Sequence, residues 1–144
     1  MRQSARIWAV AVLAFLLFPV YTSSMGLIHV DVAITSMTNG KAARTFKCLV
    51  DTGTTDSLVP ASRLREMGIE PSGTKKYELA DGTVQEYPFG LAMIEVMGEI
   101  TAGRVIFGPE NSEPILGVTV LESAGLTIDP AHLTLKKLPS IPLK

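Results

Sequence analysis

The sequence predicts a small β-domain, closed or sandwiched. Three observations carry this reading. Apolar and polar side chains alternate over residues 27–35, the two-residue period of a strand with one buried face. Asn39-Gly40 and Asp81-Gly82 sit between extended segments, as hairpin tips do. Helical character is confined to two short stretches, 61–67 and 118–124. The chain has 144 residues, 47% of them hydrophobic. That is enough for one domain with its own core and too little for two.

Along residues 27–35, Ile28, Val30, Val32 and Ile34 share one face, with His29, Asp31 and Thr35 on the other. Thr38-Asn39-Gly40-Lys41 reads as the hairpin turn, Asn-Gly supplying positive φ. Residues 43–50 return as the second strand. Ser57-Leu58-Val59 is a short strand ended by Pro60. Residues 61–67 form roughly two helical turns, stopped by Gly68. Tyr77-Glu78-Leu79 and Thr83-Val84-Gln85 flank the tip Ala80-Asp81-Gly82.

Residues 89–97 are apolar on both faces apart from Glu95, which predicts a long buried strand with Met93 and Met97 filling core gaps. Residues 104–107 form another strand, ended by Gly108-Pro109. After the loop 110–114 comes Ile115-Leu116-Gly117, then a helix over 118–124 stopped by Gly125. Leu126-Thr127-Ile128-Asp129-Pro130 and Leu133-Thr134-Leu135 are the final strands, and Pro139 and Pro142 mark a tail.

Composition narrows the function. Thirteen basic side chains stand against 14 acidic ones, a formal net charge of −1. No basic tract is present, so nucleic acid is not the expected partner. Cys48 is the single cysteine, so no intrachain disulfide forms, and a small core residue is its simplest role. His29 and His132 are far apart and show no ligand spacing. Neither a metal nor a cofactor is expected.

The first 24 residues differ from the rest. Arg2 and Arg6 precede an apolar run over 7–18, followed by Pro19 and the small polar stretch Thr22-Ser23-Ser24. This is the layout of a secretory signal, although Thr22 and Ser24 stand where alanines are usual at a cleavage site. Residues 7–21 also suit a membrane anchor, despite being short of the roughly 20 apolar residues of a spanning helix. Alternatively Met25-Gly26 starts the translated domain, and residues 1–24 are upstream sequence. The domain then covers 25–144. It is membrane-associated or exported on the first two readings and cytoplasmic on the third.

The chemistry concentrates at Asp51. The apolar run Phe46-Lys47-Cys48-Leu49-Val50 delivers it into the turn Thr52-Gly53-Thr54-Thr55. A carboxylate at the end of a buried strand is costly unless it is paired. Gly53 lets the backbone bend close to a neighbour, and Thr52 and Thr54 supply hydroxyls. An isolated Asp-Thr-Gly is a common turn signature, so its context decides. Ile115-Leu116-Gly117 before a helix and the hairpin tip at Asp81-Gly82 complete a three-part pattern. Asp56 is close to Asp51 in sequence but is assigned a structural role. Hydrolysis by carboxyl groups needs two of them. The chain has one such motif, so the second would come from another copy.

The order apolar-apolar-Asp-Thr-Gly-Thr, hairpin, apolar-apolar-Gly, short helix resembles the retropepsin-like aspartic peptidases, single-lobed relatives of retroviral proteases and pepsin. It is most similar to their stand-alone prokaryotic members. Those share a start like Met25-Gly26-Leu27, the run from Leu49 through Asp51-Thr52-Gly53 to Pro60, and Tyr77-Glu78-Leu79-Ala80-Asp81-Gly82. They also share Val105-Ile106-Phe107-Gly108 and Leu116-Gly117-Val118. The resemblance spans nearly all of residues 25–144. Two departures stand out. Thr54 replaces the more usual Ala or Ser, and the tip has one glycine, Gly82, where retroviral flaps are rich in them.

The resemblance implies a small closed β-barrel of the acid-protease type, active as a two-fold dimer with the axis between two copies of Asp51. It implies an endopeptidase in which one Asp51 carboxylate activates a water and the other, protonated, donates to the peptide carbonyl. Thr52 would hydrogen-bond across the axis. Gly53 would orient the carboxylates, and Thr54 belongs to the same loop. Tyr77, Leu79, Ala80, Asp81 and Gly82 would form a flap over an extended polypeptide substrate. Ile115, Leu116 and Gly117 would support the loop or line a pocket.

Two other readings use the same residues. A catalytically silent peptide-binding or assembly module could share the fold. Asp51-Thr52-Gly53-Thr54-Thr55 is also similar to the first phosphate loop of actin-like and sugar-kinase ATPases. That fold needs two large α/β lobes, and this chain has neither the length nor the strand-helix alternation.

Overall fold

A computed structural model describes residues 27–38 and 42–143. The readings of the leader and of the Asn39-Gly40 turn fall outside the described residues.

The elements run β1 (His29–Ser36), β2 (Arg44–Asp51), β3 (Ser57–Pro60), α1 (Ala61–Glu66), β4 (Gly73–Glu78), β5 (Val84–Val96) and β6 (Glu99–Gly108). They continue with β7 (Ile115–Gly117), α2 (Val118–Ala124), β8 (Leu126–Asp129) and β9 (Thr134–Lys137). The main sheet has the order β1-β2-β7-β3-β6-β5-β4. A further antiparallel pairing of β1 with β5, from Val32↔Val96 to Ser36↔Ala92, closes it into a six-stranded barrel. Closure removes the free edges that an open sheet would expose. Strand β4 stays outside the barrel, paired with β5. Strands β8 and β9 form a separate two-stranded sheet.

Alternation on β1 and β2 aims Val32, Ile34, Phe46 and Cys48 inward. They meet Val59, Ile94, Val96, Val105 and Leu116 from the other strands and Leu64 from α1. Each large aliphatic or aromatic side chain buried this way contributes about 1.5–3 kcal/mol. Cys48 is part of this core. Burial first, then the charges of Asp31 and Glu113, push its thiol up to about 12, so it stays protonated. Helix α2 ends at Gly125, as its sequence predicts.

The run 89–97 differs from expectation. It is the second half of β5, whose 13 residues start at Val84 and pass through Pro88. Its two faces are not equally buried. Gly90, Ala92, Ile94 and Val96 point into the barrel, while Leu91, Met93 and Glu95 are exposed on the outside. Met93 sits on that outer, partly exposed face and does not fill the core. Met97 does not either. With Gly98 it forms the β5–β6 turn, at φ 54 and φ 81, the positive values a tight hairpin requires.

Candidate active site

Two parallel pairings position the site. Strand β2 runs beside β7 with Asp51 opposite Gly117, and β3 runs beside β6. Strand β7 lies between β2 and β3, parallel to the first and antiparallel to the second, so the loop 52–56 passes over the end of β7 to join them. Asp51 stands at the mouth of that loop.

The loop is held from below. The backbone N–H of Val118 donates to the Thr54 carbonyl at 2.8 Å, and that of Thr119 to the Thr55 carbonyl at 3.2 Å. The Thr119 hydroxyl also donates to the Thr55 carbonyl, at 2.8 Å. Gly117 N–H donates to Ser57 Oγ at 3.0 Å. A Cβ on Gly117 would lie 2.6 Å from the Thr55 carbonyl oxygen and 2.7 Å from the Asp56 carbonyl carbon. Only a glycine lets β7 approach this closely.

Both carboxylate oxygens of Asp51 accept hydrogen bonds. Gly53 N–H reaches Oδ1 at 2.9 Å, and the Thr54 hydroxyl reaches Oδ2 at 3.0 Å. The Thr54 N–H closes the turn on the Asp51 carbonyl at 3.2 Å. Burial is the largest influence on the acidity and raises the Asp51 pKa. The Gly53 and Thr54 donors oppose it without cancelling it. The result is a half-buried carboxyl in fixed orientation that holds its proton more tightly than an ordinary Asp.

Above the loop stands the β4–β5 hairpin. Its tip is a tight turn, with Leu79 N–H on the Thr83 carbonyl at 2.7 Å and Gly82 N–H on the Leu79 carbonyl at 2.9 Å. Asp81 Oδ1 accepts from the Thr83 N–H and hydroxyl. Between hairpin and loop lies a groove of about 580 Å³. Gly53, Thr54, Tyr77, Leu79 and Ile115 line it, as do Ile106 and Tyr87. Ala80, Asp81 and Gly82 stand exposed at the tip, and Leu116 and Gly117 are buried beneath the loop. Asp51 does not itself line the groove; the two residues that hydrogen-bond its carboxylate, Gly53 and Thr54, do. Thr52 is half-buried, and its hydroxyl makes no hydrogen bond among the described residues.

This sequence matches the family described as gag-polyprotein putative aspartyl protease over residues 34–123, more than half of the chain. The chain belongs to that family. The matched stretch of this retropepsin-like aspartic protease family runs from β1 to α2 and includes the Asp51 loop, the β4–β5 hairpin and β7. No curated protein matches the sequence. Among solved structures, the chain is similar to the Simian Foamy Virus (mac) protease at 18% identity and TM-score 0.46, over 65% of this chain and 90% of that one. The retroviral protease-like domain of Ddi1 from Leishmania major gives 17% and 0.48, over 78% and 90%. A retropepsin-like aspartic protease from Rickettsia conorii gives 20% and 0.42, over 72% and 84%.

Sequence reasoning missed one part of the site of this retropepsin-like chain. Asp56, taken as structural, is buried and also forms part of the groove wall. Its Oδ2 accepts from the Tyr77 hydroxyl at 2.7 Å and from Arg104 Nε at 3.1 Å. The partners lie 21 and 48 residues away, and no local spacing announces them.

Proposed function

We propose that the chain is an aspartic endopeptidase whose attacking water is activated between the Asp51 carboxyls of two copies meeting on a two-fold axis. The observation that carries this is the Asp51 turn, a half-buried carboxyl oriented by Gly53 and Thr54, which themselves line a peptide-sized groove. A contact of this kind is isologous, with each copy presenting the same surface. Two carboxyls in contact share one proton, and the two ionisations belong to the pair. The ionised member takes a proton from water as the water attacks the peptide carbonyl. The protonated member donates to the carbonyl oxygen, and a later transfer protonates the leaving amine. No acyl-enzyme is formed.

The Thr52 hydroxyl, unpaired among the described residues, would bond its counterpart across the axis. Substrate lies extended under the flap and adds as a strand, alternate side chains entering pockets. The test is incubation of the purified protein and its Asp51→Asn variant with a mixed peptide library. Asn keeps the shape but cannot serve as a base, so cleavage should fall by at least about 10²–10⁴-fold. Undiminished cleavage by a folded Asp51→Asn protein sinks the mechanism. Peptide binding without cleavage by the wild type points to a silent module instead.

A further inference from the structure

Among the described residues strand β4 is an edge strand whose one strand partner is β5, and Thr74, Lys75 and Lys76 on it are exposed. The tip of the β4–β5 hairpin is locked internally by the bonds around Leu79, Asp81 and Thr83. The hairpin is thus braced within itself, and its base meets the loop. Tyr77 stands there.

The Tyr77 hydroxyl donates to Asp56 Oδ2 at 2.7 Å. Asp56 belongs to the same loop as Asp51, and its side chain is only 4% exposed. Arg104 on β6 fixes that oxygen from the barrel side at 3.1 Å, and its guanidinium also lies over the Phe89 ring, 5.5 Å from the centroid. The chain of contacts thus runs from barrel wall to loop to flap. A hydrogen bond to an ionised carboxylate is stronger than one between neutral groups. Burial and the Asp56 carboxylate both hold the Tyr77 hydroxyl in its protonated, donating form.

We propose that Tyr77 is a positioning residue of the site. Its hydroxyl, anchored on the Asp56–Arg104 pair, sets the height of the flap over the Asp51 loop and so the width of the substrate groove. The catalytic consequence rests on the peptidase reading, but the flap tether itself does not. Extended peptide must fit between flap and loop, and a groove of fixed width spares it the cost of ordering the flap on binding.

The experiment compares wild type with Tyr77→Phe, which removes one oxygen and keeps the ring that packs against Tyr87, centroids 6.3 Å apart. Amide hydrogen exchange of the uncomplexed protein is followed by mass spectrometry, alongside KM and kcat for a cleaved peptide and a thermal melt. Losing a hydrogen bond to a charged group should speed exchange across residues 74–84 by about tenfold, with β1 and β2 unchanged. KM should rise by about fivefold to tenfold with kcat within about twofold, since the loss falls on binding rather than on chemistry. Unchanged exchange in the flap overturns the proposal. So does faster exchange across the whole barrel or a collapsed melt, because the bond would then hold the fold rather than the flap. If the wild type cleaves no peptide, the peptidase reading falls, and exchange alone decides the tether.

Discussion

Gly117→Ala tests whether β7 fixes the Asp51 loop. The new methyl would sit 2.6 Å from the Thr55 carbonyl oxygen and 2.7 Å from the Asp56 carbonyl carbon. Ordinary contact begins near 3.4 Å, so the loop must retreat by about 0.8 Å, the difference between 3.4 and 2.6. Both neighbours are backbone, and no flexible side chain can swing aside. Forced packing of this kind costs about 1–3 kcal/mol. The same displacement stretches the bonds from Gly117 N–H to Ser57 and from Val118 N–H to the Thr54 carbonyl. For a domain of this size, about 2 kcal/mol lowers Tm by roughly 6–12 °C. Because Asp51 is carried by the loop, a shift near 1 Å should also cut kcat/KM by about 10²-fold. Thermal melting and peptide hydrolysis read the two effects separately. Gly103→Ala is the control, since a Cβ there meets nothing within 4 Å. A Gly117→Ala protein with unchanged melting and unchanged rate refutes the reasoning.

Other outcomes follow from the same geometry. Thr54→Ala removes a donor that lowers the Asp51 pKa, so the acid limb of the pH–rate profile should move to higher pH; a fixed or falling limb contradicts the assignment. The folded Asp51 carboxyl binds its proton more tightly than the unfolded one, with its ordinary pKa of 3.8. Its contribution to stability is therefore full below pH 3.8 and is lost as pH rises through the folded pKa. Thr54→Ala should extend that loss to higher pH, read as the change in Tm across a pH series. Under the dimer reading one copy would carry half a site, so specific activity should fall on dilution. Constant specific activity from a species that sediments as a monomer at every concentration would require a second acid within the chain.

What the sequence reveals here is mostly short-range. The Asp51 turn, the 81–82 tip and the Gly125 helix stop each depend on a few adjacent residues with special backbone demands. The alternation of β1 is legible because one face is buried. Strand β4 gives no such signal, since Thr74, Lys75 and Lys76 in succession are exposed and show no alternation. Pro88 looks like a break in β5. It is accommodated just before the β6 ladder begins at Phe89, where one side of β5 has no strand to pair with. The turn at Met97-Gly98 is masked because a bulky methionine is a poor sign of positive φ. The Tyr77–Asp56–Arg104 contacts exist only once flap, loop and barrel have been assembled.

The position of Asp51 in a single chain bears on how two identical loops could play opposite roles. Its raised pKa arises from burial, against two donors that favour the ionised form. Under the dimer reading, a second copy adds further burial and a like charge, and both oppose loss of the second proton. The Gly53 and Thr54 donors stabilise the first ionisation in whichever subunit carries it. Acid and base are then assigned by one proton, with no difference in sequence required. Interchangeable roles have a consequence. A wild-type subunit paired with an Asp51→Ala subunit keeps one intact loop, yet that carboxyl has no neighbour to share a proton with and cannot be acid and base in the same step. Titrating wild type with excess Asp51→Ala should therefore reduce activity in proportion to the mixed pairs formed. Activity that stays constant per wild-type chain would place both functions within one copy.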